Sequence, residues 1–143
     1  LYTGKIDDFY GCRYGRLQYR SLRFETEVLD HPNDQGVAIM NFTDTTTPYT
    51  HIIEHKHFET FGDEVYDNPK TVITREYPIN YVPSKSEPYY PINDERNSQL
   101  YGRYRKLAAR ERDVIFGGRL AEYRYYNMDQ VMARAMETWA EQM

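Results

Sequence analysis

The sequence predicts an α+β fold: a twisted antiparallel sheet with helices toward the C-terminal end. Three observations carry this. Between residues 17 and 82, runs rich in β-branched and aromatic residues alternate with clusters of turn formers. From residue 98 onward, apolar residues recur at helical spacing. No internal repeat or low-complexity tract interrupts the 143 residues, a length that suits one domain with its own core. On this reading 1–143 is a single piece, mostly sheet over 1–92 and mostly helix over 93–143.

"LYTGKIDDFYG" reads as a strand end followed by a turn, as if taken from the middle of a longer chain. "LQYRSLRFETEVLD" (17–30) is a strand, with Leu17, Tyr19, Ser21, Arg23 and Glu25 on one face and Gln18, Arg20, Leu22 and Phe24 on the other. "HPNDQG" (31–36) makes a hairpin loop and "VAIMNFTD" (37–44) the returning strand. A turn at Pro48 precedes a β-branched run that ends at Phe58. Residues 60–70 are polar and rich in breakers, hence loop; 71–82 form a further strand, and 83–97 an extended, proline-punctuated segment. A helix over 98–112 is marked by Leu100, Tyr104, Leu107 and Ala108. "VIF" (114–116) is a short strand leading into Gly117, Gly118 and Arg119. The last helix shows Met128, Val131, Met132, Ala135, Trp139 and Met143 on one face. Asn127 is its N-cap and Gln130 completes a capping box.

The formal charge of −4 argues against nucleic acid as a partner, because phosphate-backbone binding needs a basic face. The lone Cys12 rules out an intramolecular disulfide and fits a reducing, cytoplasmic setting. No apolar run approaches the roughly 20 residues of a membrane helix, and no signal peptide opens the sequence. The 15 tyrosines suit half-buried sheet surface, and also contacts to sugar or phosphate.

Three groups of residues carry candidate chemistry. "FGGRLAEYRYYNMDQV" (116–131) sets two glycines and an arginine ahead of a helix start. Glycines allow close backbone approach, arginine suits phosphate, and a helix N-terminus attracts negative charge. The bland alternative is a connection whose glycines merely close a turn. His51-Ile-Ile-Glu54-His55 matches the zinc pattern H-x-x-E-H, which needs a helix. Its β-branched spacer favours a strand, with His51, Ile53, His55 and His57 on one face; no metal site is expected. Arg20, Asn41, Tyr90 and Tyr125 are scattered, and spacing alone does not unite them.

The blocks "LYTGKIDDFYGCRYGRLQYRSLRFE", "NFTD", "PYTHIIEHKHF", "KTVITREYP", "EPYYPIND" and "VIFGGRLAEYRYYNMDQV" follow one another in the order and approximate spacing of bacterial UDP-galactopyranose mutases. The resemblance covers nearly the whole chain and is to the C-terminal part of that family. It implies interconversion of UDP-galactopyranose and UDP-galactofuranose, for galactofuranose-containing glycans, through a reduced FAD whose N5 forms an adduct with the sugar. The N-terminal Gly-rich region that grips FAD is absent, so the rest of the same polypeptide is the implied partner; a homodimer is left open.

By the same resemblance, Arg119 and Gly118 lie against FAD, with Asn127, Met128 and Asp129 at the flavin ring. Tyr90 and Tyr125 match tyrosines that bond the substrate diphosphate, and Arg20 and Asn41 match residues facing the galactose of UDP-galactose. No catalytic residue is assigned with certainty. Two departures stand out. His51 replaces an arginine that binds the diphosphate, and Asn127 replaces an aspartate, the milder change because both are good caps. The alternative is a nucleotide-sugar binding or scaffold domain of the same architecture without catalysis, which the His51 change favours.

Overall fold

The computed structural model describes residues 1–141; Met143, placed by the sequence on the last helix, lies outside the described residues. The elements in chain order are α1 (Ile6–Phe9), β1 (Tyr19–Leu29), β2 (Ile39–Asn41), β3 (His51–Glu54), α2 (Asp63–Tyr66), β4 (Thr71–Asn80), β5 (Tyr90–Pro91), α3 (Glu95–Ala108), α4 (Gly118–Ala121) and α5 (Met128–Glu141). The strands form an antiparallel sheet in the order β2-β3-β4-β1-β5, and the longer helices follow it, so the fold is α+β as expected. Two compact units are present: Leu1–Ser21 with Tyr81–Met143, and Leu22–Asn80.

The first unit is built on buried tyrosine. Ile6, Leu17, Tyr19, Tyr104 and Tyr123 form its core. A buried phenol is tolerable only where its hydroxyl is paired, and each of these is. Tyr104 donates to the Gly15 carbonyl at 2.7 Å and Tyr123 to the Gln18 carbonyl at 2.5 Å, while Tyr19 reaches Asp7 at 3.4 Å. Burial, the largest influence, pushes the Tyr123 hydroxyl up to about 12, so it stays a donor at every working pH.

Helix α3 starts earlier than the apolar spacing indicates. The Asp94 side chain accepts the Asn97 N–H at 2.7 Å and caps the helix, which then ends at Ala108 rather than residue 112. Asn97 is fully buried; its side-chain oxygen accepts the Gln18 N–H and its side-chain NH₂ donates to Gln18 Oε1. The expected strand at 114–116 shrinks to one parallel bridge between Tyr2 and Phe116, because among the described residues Tyr2 alone pairs with it. Residues 6–9, expected as turn, make the short α1, with Lys5 and Asp8 bridged at 2.7 Å. In α5 the capping box forms its return half, Gln130 accepting the Asn127 N–H at 2.9 Å.

In the second unit β3 pairs antiparallel with β2 and β4, setting His51 opposite Asn41 on one side and Glu76 on the other. The returning strand is three residues, not 37–44. Asp44 turns the chain instead, its carboxylate accepting the N–H and hydroxyl groups of Thr46 and Thr47, which hold that carboxyl well below the usual range. The strand expected through Phe58 stops at Glu54, and His55–His57 form a 3₁₀ turn, so His55 and His57 do not share a strand face with His51.

Glu54 is the physical reason. Its fully buried carboxylate accepts the Asp34 and Gln35 N–H groups at 2.9 and 2.8 Å and the Thr71 hydroxyl at 2.7 Å, and it pairs with His57 at 3.2 Å. Lys56 then turns inward, donating to the carbonyls of Pro32 at 2.6 Å and Asn68 at 2.8 Å. Residues 60–70 are not plain loop: the turn Glu59–Phe61 and α2 occupy part of them.

Candidate functional site

In the first unit, β1 and β5 set Arg20 directly across from Tyr90. The Tyr90 and Tyr125 rings lie 5.2 Å apart, tilted by 43°. Arg119 joins them, its guanidinium carbon 5.9 Å from the Tyr90 ring centre and 5.8 Å from that of Tyr125. Its Nε donates to the Tyr126 carbonyl at 2.8 Å, which fixes the side chain while the planar fork keeps further donors. Thus Arg20, Tyr90, Arg119 and Tyr125 are brought together from three separate stretches of sequence. A fixed cation among phenol hydroxyls can bind a phosphate oxygen.

The Gly-Gly turn has a specific backbone need at Gly118, whose φ of 84° lies in the left-handed region. Gly117 and Gly118 also wall an apolar cavity of about 380 Å³, with Val131, Ala135 and Trp139 of α5 on its far side. Asn127, Met128 and Asp129 open α5 on an exposed surface, Met128 being 77% accessible. The apolar stripe read from the sequence buries no residue of α5 among those described. The turn thus sets a left-handed glycine and an apolar recess next in sequence to the braced guanidinium of Arg119.

The second unit holds Asn41 and His51 as register partners at the end of β2 and β3. His51 Nδ1 lies 2.9 Å from Glu76 Oε1 and 2.9 Å from Thr50 Oγ1. H-x-x-E-H falls on a strand and a 3₁₀ turn, with Glu54 enclosed by its own partners. Among the described residues the group gathered closely enough to hold an ion is Asp7, Asp8 and Cys12, and no ion-holding role follows from it.

Glu76 and Tyr126 were not legible as contributors. One lies 25 residues from His51, and the other serves through a backbone carbonyl that any residue type possesses. The only local signal for Glu76 is strand alternation, which gives a face and not a register.

Comparison with known proteins gives the family of the chain. A family model described as UDP-galactopyranose mutase matches residues 1–125. The chain is 39% identical to a probable UDP-galactopyranose mutase of Klebsiella pneumoniae, over 96% of this chain and 34% of that protein. It is 37% identical to the UDP-galactopyranose mutase of Mycoplasma pneumoniae, over 100% of this chain and 35% of that protein. A dTDP-fucopyranose mutase of Escherichia coli is 33% identical over 96% of this chain and 35% of its own length. The chain therefore spans about a third of the length of the curated relatives it matches. With the family model covering most of its length, this chain belongs to the UDP-galactopyranose mutase family.

Proposed function

We propose that this chain contributes substrate- and flavin-binding residues to a mutase that interconverts UDP-galactopyranose and UDP-galactofuranose. The observation that carries the reading is the gathering of Arg119, Tyr90 and Tyr125, with Arg20 in register beside Tyr90. Tyr90 and Tyr125 donate hydroxyl protons to the diphosphate, and so stabilise UDP as it leaves. Arg20 and Asn41 face the sugar, and His51 serves as a further diphosphate partner. Gly118 and Arg119 hold FAD together with the start of α5 at Asn127, Met128 and Asp129. The chemistry that reduced FAD supplies when bound is a nucleophilic N5 for the anomeric carbon. The Gly-rich loop for the cofactor's own diphosphate belongs to the partner region that completes the family's length. None of the described helices is long and apolar enough to cross a membrane; the cytoplasmic setting is part of the proposal and rests on the resemblance to the family.

The dTDP-fucopyranose mutase among the relatives widens the substrate class to nucleoside-diphosphate hexopyranoses, with UDP-galactose preferred here. A second reading, nucleotide-sugar binding without flavin, is favoured by His51 in place of arginine.

Tyr90→Phe and Tyr125→Phe test the diphosphate contacts. Each removes one donor to a charged group and little volume, so UDP binding by calorimetry weakens roughly tenfold, about 1.5 kcal/mol, while the thermal midpoint stays put. Parallel losses of midpoint and affinity would mark both tyrosines as packing residues instead.

A further inference from the structure

We propose that Glu76 is a positioning residue for His51, holding the imidazole by Nδ1 so that Nε2 is the nitrogen presented to a ligand. The register of β3 and β4 makes the two residues direct cross-strand partners, and Nδ1 lies 2.9 Å from Glu76 Oε1. An ionised carboxylate only accepts, so the proton of that bond sits on Nδ1. Thr50 reinforces the assignment. Its hydroxyl donates to the same Oε1 at 3.1 Å, and having spent its proton there it can only accept from Nδ1 at 2.9 Å. The Thr50 N–H donates to the Glu76 carbonyl at 2.9 Å, which fixes the distance between the two strands at this point.

The pair is graded in exposure: the Glu76 side chain is 18% accessible and the His51 side chain 38%, so the acceptor lies inward and the imidazole edge outward. On the opposite side, β2 places the neutral Asn41 in register with His51, so Glu76 is the charged cross-strand partner. Histidine differs from arginine in having two distinguishable nitrogens, and a carboxylate on one decides what the other does. The bearing on catalysis rests on the reading of His51 as a diphosphate partner; the positioning itself does not.

The test is nitrogen-15 NMR of the histidine side chains in this chain, which reports the tautomer directly. At the alkaline end of its titration, wild-type His51 shows the Nδ1–H form. In Glu76→Leu it reverts to the Nε2–H form that a free histidine prefers. Added UDP, at a pH acid enough for Nε2 to carry a proton as well, then shifts Nε2 of the wild type and leaves the Nδ1 bond in place. A wild-type Nε2–H tautomer overturns the proposal without recourse to any variant, as does an unchanged tautomer in folded Glu76→Leu. UDP that moves neither nitrogen, with Nδ1–H retained, upholds the positioning and counts against the diphosphate reading.

Discussion

Glu54→Ala destabilises the protein by about 3–5 kcal/mol, a fall in thermal midpoint of roughly 10–17 °C. The size follows from what is left behind: two backbone N–H groups, of Asp34 and Gln35, and the Thr71 hydroxyl, all aimed at a site that can no longer accept. Glu54→Gln is nearly as costly. Each carboxylate oxygen accepts one of those N–H groups, so either orientation of the amide sets its NH₂ against a donor.

The same carboxylate gives stability a definite pH dependence. Burial, the largest influence, would raise its pKa, but the Gln35 N–H, the Thr71 hydroxyl, the Asp34 N–H and His57 together outweigh it and hold it at about 2, below the ordinary 4.5. A pKa depressed by folding stabilises the protein fully above the unfolded value, and that contribution fades as pH falls from 4.5 through about 2. The gap in thermal midpoint between wild type and Glu54→Gln therefore narrows across that window. Parallel pH profiles for the two would mean that Glu54 is not the titrating anchor.

Arg119→Ala, in the polypeptide extended by the flavin-binding partner region, loses cofactor more than substrate. A charge-assisted contact is worth about 1.5–3 kcal/mol, roughly one to two decades in FAD affinity. Arg119→Lys recovers only part, because an ammonium lacks the planar fork that braces on the Tyr126 carbonyl through Nε and still keeps donors near Tyr90 and Tyr125. Flavin absorbance per mole of purified protein, followed by FAD titration of the stripped form, measures the effect. Stoichiometric FAD of unchanged affinity in Arg119→Ala would remove Arg119 from the cofactor site.

The strands were legible wherever side-chain type and local spacing set the structure. Alternation with aromatic residues gave β1, β-branched runs gave β3 and β4, and the Asn127–Gln130 spacing marked the start of α5. What escaped was decided at a distance. Glu54 ends β3 because Asp34, Gln35 and Thr71 meet its carboxylate, and no local pattern announces partners 17 to 20 residues away. The first turn of α3 was hidden because "NDERN" holds no apolar residue, although Asp94 with Asn97 three residues on is a cap in itself. Tyr104 was legible as one face of a helix, but the burial of Tyr19 and Tyr123 was not, because tyrosine enters a core only where acceptors wait, here the carbonyls of Gly15 and Gln18 and the Asp7 carboxylate. For the candidate site, the residue types were visible, but the pairing of Arg20 with Tyr90 depends on a register between strands some 70 residues apart.

The most direct measurement of the central claim is conversion of UDP-galactopyranose to the furanose isomer, followed by chromatography. The extended polypeptide is assayed with FAD held reduced and then held oxidised, beside this chain alone with reduced FAD. We expect turnover only from the extended polypeptide and only with reduced flavin, the chain alone remaining silent. A colourless extended polypeptide that binds UDP and converts nothing would contradict the account and establish the flavin-free binding domain in its place.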